Sequence, residues 1–310
     1  MRIIFMGTPE FAVPSLEHLI LDKYQIVAVF TQPDRPAGRG RGMVASPVKA
    51  AAQQLQLPVL QPDSMKSAEV VTQIASLKPD IIVVVAYGKI LPQSILDIPA
   101  FGCINIHPSL LPKFRGPSPV VAAILSGDDF TGVSIMLLDS GMDTGPVLIR
   151  AAVSISHEDT AGSLTGKLSM IAANLLQEAL VGWIRHEIVP LPQNEVAATY
   201  SAQINKEDGE IDWNLSAEEI WQRVRAFHPW PGCYTMWRGR QLKITEAVLL
   251  REKGISGKVV ATPGSEAVVG VGTGNGMLGL LEMQLEGKRA MLANEFLRGQ
   301  RDFIGVMLPD

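Results

Sequence analysis

A chain of 310 residues, 47% hydrophobic and 19% charged, has the composition of a globular protein and enough length for two cores. Its formal net charge of −4 excludes a generally basic nucleic-acid coat, so a polyanion partner needs a local patch. Cys103 and Cys233 lie too far apart in sequence for a metal or redox motif, and runs such as Ile81 to Tyr87 are too short to cross a bilayer; the reading is a cytoplasmic protein with free thiols.

In chain order, residues 2–7 and 25–31 read as strands, with a helix over 9–21 that tolerates prolines near its start. Further strands are expected at 57–62, 80–87 and 102–107, separated by helices near 46–55, 64–77 and 117–126. Strands that are apolar throughout, in this βαβ rhythm, predict a parallel sheet covered on both faces. Residues 132–139 and 145–155 suit a hairpin at the sheet edge, and 159–184 a long amphipathic helix with Asp159 as its N-cap. Residues 187–206 are polar and weakly periodic, which suggests a linker between a domain over 1–186 and a second over 207–310. The second begins with a short helix at 216–227 and continues in glycine-punctuated strand-sized pieces, the pattern of a small β-barrel.

Two glycine motifs are weak. "FMGTPEF" has one glycine where a dinucleotide fingerprint needs three, so it reads as a strand-to-helix turn. "GTGNGMLG" (272–279) precedes no helix and reads as hairpin punctuation. No metal-ligand spacing is present, and His18, His157, His186 and His228 stand singly. His107 differs by its address at the carboxyl end of a strand, where ligands bind in open α/β sheets. Asn105, two residues earlier, points to the same side and can donate beside a proton-transferring imidazole. A carboxylate to orient that ring is available in "DSGMDTG", from either Asp139 or Asp143. Without a nucleophile elbow, direct transfer between two bound substrates is the natural chemistry. A separate basic stretch, residues 34–49, sets Arg35, Arg39, Arg41 and Lys49 against the single acid Asp34.

The combination "INIHPSLLPKFRG" with a downstream "MDTGPVL" resembles the 10-formyltetrahydrofolate-dependent formyltransferases. "FMGTPEFAVPSL", "FTQPDRPAGRGRG", "VVAYGKILP", "IDWNLSAEEI" and "RAFHPWPGCYT" extend the likeness, along essentially the whole chain, to the branch acting on methionyl-tRNA. The Asn/His/Asp set alone is shared with formyltransferases of glycinamide ribonucleotide and of sugar amines. The resemblance implies a Rossmann-like, mostly parallel α/β domain followed by a smaller OB-like β-barrel that contacts tRNA. It implies Asn105, His107 and Asp143 as the catalytic set, with Asp143 preferred over Asp139. It assigns folate to Ser109, Leu110, Leu111 and Pro112 and to Tyr87, Gly88, Ile90 and Leu91. The formyl donor would be 10-formyltetrahydrofolate and the acceptor initiator methionyl-tRNA, with no metal, no membrane and a monomeric state expected. Arg35, Arg39 and Arg41 would meet the tRNA acceptor stem. Residues 207–310 hold 12 Lys+Arg against 14 Asp+Glu, so a tRNA-facing surface there must be clustered. Arg39→Ala is expected to weaken tRNA binding and to lower its salt slope by about one, with folate affinity near parental; titrations at several salt concentrations check this.

Overall fold

A computed structural model describes residues 1–37 and 42–310; Arg39 and Arg41 lie outside the described residues. The chain divides into two compact units. The first comprises Met1–Pro119, Phe130–Ser154 and Thr165–Ser201, and the second Val120–Asp129, Ile155–Leu164 and Ala202–Asp310.

In the first unit, the strands β1 (Arg2–Gly7), β2 (Gln25–Phe30), β3 (Arg35–Ala37), β4 (Gly42–Val44), β5 (Val59–Leu60), β6 (Ile81–Val85), β7 (Cys103–His107), β8 (Phe130–Leu137) and β9 (Val147–Ser154) follow in chain order. Seven of them form one sheet in the order β5-β2-β1-β6-β7-β8-β9. The first five in that order run parallel, and β8 and β9 close the edge as an antiparallel hairpin. Every residue of β6 is buried, as are Ile3 to Met6 of β1, which is why these strands are apolar on both faces. Helices α1 (Val13–Leu21), α2 (Pro47–Gln54), α3 (Ala68–Ser76) and the single turn α4 (Gln93–Leu96) fill the connections. Ser46 caps α2 by accepting from the Lys49 N–H, and Pro47 sits at a position where no N–H is needed.

Two elements are shorter than the sequence pattern suggests. The strand expected at 57–62 is reduced to Val59–Leu60, because Pro58 and Pro62 on either side lack the N–H a ladder requires. The helix expected at 64–77 begins only at Ala68. The basic stretch 34–49 carries the antiparallel β3–β4 pair, with Arg35 opposite Val44.

The chain moves outward from β1 through β2 to β5 and then returns to β6 on the other side of β1. Strand order therefore reverses between β1 and β6, and a crevice opens beyond their carboxyl ends. Gly7 ends β1 there. A Cβ at this position would lie 2.9 Å from the Ala12 methyl and 3.0 Å from the Val85 carbonyl oxygen. The strand-to-helix turn reading of "FMGTPEF" is thus what the structure contains, with its glycine used for close packing.

Helix α5 (Pro119–Leu125) falls almost wholly in the second unit, and α6 (Ala161–Ile184) belongs to the first from Thr165 onward. Helix α7 (Ala217–Ala226) opens with a complete capping box, in which Ser216 and Glu219 satisfy each other's backbone N–H groups. The strands β10 (Cys233–Trp237), β11 (Arg240–Leu250), β12 (Val259–Ala261), β13 (Val269–Gly272), β14 (Met277–Leu285) and β15 (Met291–Leu292) follow, then α8 (Ala293–Gly299). They form an antiparallel sheet in the order β10-β11-β14-β13-β12, with β15 beside β14. "GTGNGMLG" is the β13–β14 turn, as its reading required. The sheet is barrel-like, and an irregular segment spans the gap between its edges. The Val259 N–H donates to the Val306 carbonyl at 2.9 Å, and the Asp310 N–H donates to the Met236 carbonyl at 3.1 Å. Phe303 packs edge to face with both Trp237 and Phe296, and Trp237 and Phe296 meet at a tilt, with centroids 5.1 to 5.6 Å apart. Among the described residues no helix is long and apolar enough to cross a membrane.

Candidate functional site

β7 lies between β6 and β8 and delivers its last residue, His107, opposite Ser134. Asn105 and His107 share one side of the strand because side chains alternate along it. His107 is 4% exposed, and its ring is held at both nitrogens. Nε2 lies 3.0 Å from the Phe114 carbonyl oxygen, which can only accept, so Nε2 carries a proton and donates. Nδ1 faces Asp143 Oδ2 at 3.6 Å. A neutral ring therefore turns a lone pair toward a carboxylate, whereas an imidazolium donates on both sides. Burial acts against that charge and holds the His107 pKa below its ordinary value, while Asp143 and the Phe114 carbonyl pull it upward.

Spacing left Asp139 and Asp143 as alternatives, and the structure places Asp143 beside the ring. Its Oδ2 accepts from the Gly116 N–H at 2.8 Å, and Oδ1 lies 3.5 Å from Asn105 Nδ2. That last distance is at the limit of a hydrogen bond and leaves the Asn105 amide with donor capacity. Asp139 instead holds the turn together, accepting from the Gly141 N–H at 3.0 Å and from Thr144 Oγ1 at 2.7 Å. Asp143 and Phe114, the two residues that embrace the ring, both have a positive φ, +55° and +58°. Side chains rarely adopt this conformation, so surrounding bonds must hold it.

The residues assigned to folate by sequence fall into two groups. Ser109 and Leu111 are fully buried. The Ser109 hydroxyl donates to the Lys113 carbonyl at 2.6 Å, and the Leu111 N–H donates to Ser134 Oγ at 3.0 Å. The Leu111 side chain packs with Met136 and Val147. These two residues thus shape the loop from within. The Tyr87 hydroxyl donates to the Met65 sulfur, burial pushes its pKa up to about 12, and both Tyr87 and Leu91 join the core beneath the sheet. Gly88 and Ile90 are exposed, while Leu110 and Pro112 are half-buried, so these four have surface to offer a ligand.

At the β1–β6 crevice, a cavity of about 410 Å³ is lined by Thr8, Gln32, Arg35, Ser46, Tyr87 and Gly88, among others. Gln32 Nε2 donates to the Tyr87 and Gly88 carbonyls at 3.1 and 3.0 Å, and the Thr8 hydroxyl donates to the Tyr87 carbonyl at 3.0 Å. Arg35, the described member of the arginine set, is exposed and lies 3.4 Å from Gln32 Oε1. Lys49, by contrast, is paired with Asp34 at 2.6 Å, and this bond together with one from Gln61 holds the Asp34 carboxyl below its usual range. Thr8 and Gln32 were not singled out from the sequence. Both directly follow predicted strands, at Gly7 and at Thr31, and that address is the signal that finds them.

A sequence model of the formyl transferase family matches residues 1–180, and one of the formyl transferase C-terminal domain matches residues 203–301. The chain belongs to the formyl transferase family. Curated relatives of this formyl transferase include a methionyl-tRNA formyltransferase of Dehalococcoides mccartyi, 48% identical over 99% of this chain and 98% of its own. One from Roseiflexus sp. is 46% identical over 100% of this chain and 96% of its own. Among solved structures, HypX from Aquifex aeolicus in complex with tetrahydrofolic acid superposes with a TM-score of 0.64 at 19% identity, over 98% of this chain and 47% of that one. This formyl transferase thus spans about half the length of HypX. An N-formyltransferase from Helicobacter canadensis, in complex with folinic acid and dTDP-3-aminofucose, gives 0.67 at 20% identity over 90% and 98% of the two chains. At these identities the likeness shows a common fold.

Because burial lowers the His107 pKa, the unfolded chain binds more protons than the folded one between the folded value and about 6.5. This ring's contribution to stability is therefore complete above that window and declines as pH falls through it. Histidine NMR titration is expected to find His107 below its ordinary value, and Asp143→Asn is expected to lower it further by removing the charge that opposes burial.

Proposed function

We propose that the chain transfers the formyl group of 10-formyltetrahydrofolate to the α-amino group of methionyl initiator tRNA, giving formyl-methionyl-tRNA for translation initiation. The observation that carries this reading is the convergence of Asn105, His107 and Asp143 at one strand end of a formyl transferase sheet, in a chain similar end to end to methionyl-tRNA formyltransferases. Residues 1–186 would form the catalytic domain and 207–310 the tRNA-contacting barrel, with 187–206 between them. The protein would work as a monomer in the cytoplasm.

In this reading the neutral amine attacks the formyl carbon and forms the new C–N bond, and the carbonyl oxygen becomes an oxyanion. The Asn105 amide, whose bond to Asp143 is long, donates to that oxyanion. Nε2 of His107 is occupied by the Phe114 carbonyl, so the Nδ1 lone pair is the base that takes the proton the amine loses and then passes it to N10. Asp143 stabilises the imidazolium that results. Collapse breaks the bond between the formyl carbon and N10 of the folate. The proton lost by the amine ends on N10, and no other reactant is consumed. The donor's pterin would lie along Gly88 to Pro92 and Leu110 to Pro112. Arg35, Arg39 and Arg41 would draw the tRNA acceptor end toward the β1–β6 crevice.

The test is one assay with purified protein, 10-formyltetrahydrofolate, and charged initiator tRNA beside amino-sugar nucleotides. Formyl-methionyl-tRNA is the expected product, and formylation of a small amine without formylation of the tRNA would reject the reading. In the same assay Asn105→Ala is expected to lower kcat about 10²- to 10³-fold while the tRNA KM stays near parental.

A further inference from the structure

The segment from Leu191 to Ser201 lies between the two spans matched by the family models, yet it is bonded to both residues that embrace the His107 ring. Leu191 exchanges two backbone hydrogen bonds with Val147, each 2.9 Å, just past the turn that carries Asp143. Gln193 then reaches that turn directly. Its Nε2 donates to the Asp143 carbonyl at 2.8 Å and to the Gly145 carbonyl at 2.7 Å. Its Oε1 accepts from Arg115 Nε at 3.0 Å and from Arg115 Nη2 at 2.9 Å. The amide orientation follows from chemistry, because a guanidinium only donates and a carbonyl only accepts. All four bonding positions of the Gln193 amide are filled.

Arg115 is a fixed support for this amide. It is fully buried, and Glu195 takes two of its N–H groups at 2.9 and 2.7 Å, a pairing that raises the Arg115 pKa further. The Arg115 N–H donates to the Thr199 carbonyl, and its own carbonyl accepts from the Ser201 N–H. The other side of the ring is reached through Thr199, whose Oγ1 accepts from the Phe114 N–H at 2.9 Å. Phe114 in turn offers its carbonyl to His107 Nε2. One stretch of chain therefore holds both left-handed residues, Asp143 through Gln193 and Phe114 through Thr199.

Resting on the formyl-transfer reading above, we propose that Gln193, braced by Arg115, is a positioning residue that keeps the Asp143 carboxylate aligned with His107 Nδ1. The backbone of Asp143 is in a conformation that relaxes when unsupported, and its carboxylate is 3.6 Å from the ring, so a small shift of the turn separates the pair. Misplacement on the scale of 1 Å costs about 10²-fold in rate. Asp143 is the charged group that faces the ring, and its withdrawal leaves only the Phe114 carbonyl to oppose burial.

Two variants of the full-length protein test this. Gln193→Met removes the amide at similar volume, and Gln193→Glu keeps the acceptor for Arg115 while turning a carboxylate oxygen toward the two carbonyls. Both are expected to lower kcat about 10²-fold with KM for folate and tRNA changed less than about threefold. In Gln193→Met the His107 titration, read by NMR without turnover, should move to lower pH. Gln193→Glu keeps its Arg115 contact but loses both donated bonds, so its Tm is expected to fall by a few degrees with unfolding still cooperative. A parental kcat in both variants would overturn the proposal, as would a kcat loss with an unmoved His107 titration. His107→Asn in the same series separates the two claims. If His107→Asn keeps full activity, the formyl-transfer reading fails; if it is inactive while both Gln193 variants are parental, only the positioning role fails.

Discussion

A buried imidazole pinned between a carbonyl and a carboxylate is the constraint to which the loops of the first unit answer. Burial alone favours a neutral ring, so a charged His107 requires a fixed acceptor on each nitrogen. The acceptors come from Phe114 and Asp143, and each is offered by a residue in a left-handed backbone conformation. The surrounding bonds are therefore arranged to hold strain. Gly116 donates to Asp143, Asp139 ties its own turn, and the segment after Leu191 bonds to both sides. Rigid positioning of a few donors is what direct formyl transfer between two bound substrates demands.

The sheet supplies the second half of the design. Reversal of strand order between β1 and β6 opens a crevice, and β7, next to β6, ends within the same row of strand termini. Thr8 and Gln32 bond the carbonyls of Tyr87 and Gly88 and so tie the ends of β1, β2 and β6 into one floor. A family that draws one substrate from a pterin and another from a large amine needs two adjoining slots, and a switch point next to a catalytic strand end provides them.

Much of this was legible in the sequence, for reasons that differ by residue. The parallel strands announced themselves because burial on both faces makes them apolar throughout, and His107 stood out by its place at the end of one. Asp139 and Asp143 could not be separated by spacing, since both lie in one seven-residue turn; only the tertiary position of the turn puts Asp143 at the ring. The β3–β4 pair was hidden in a stretch rich in glycine and arginine, where no period appears. The sheet closure through Val306 and Asp310 was also hidden, because an irregular segment leaves no alternating pattern. Gln193 and Arg115 meet across 78 residues of sequence, and a glutamine in a polar stretch looks like linker until its four bonds are seen. Local pattern reports what each element is, whereas such contacts depend on where the elements have been brought.

The claim on which the rest stands is that His107 and Asp143 act as a unit. A double-mutant cycle on formyl transfer, with His107→Asn, Asp143→Asn and the double variant, measures it directly. Groups that work as one lose their function together, so the double variant is predicted to fall no more than about threefold below the weaker single variant. Losses that multiply across the two substitutions would mean that the residues act independently, and would contradict the account.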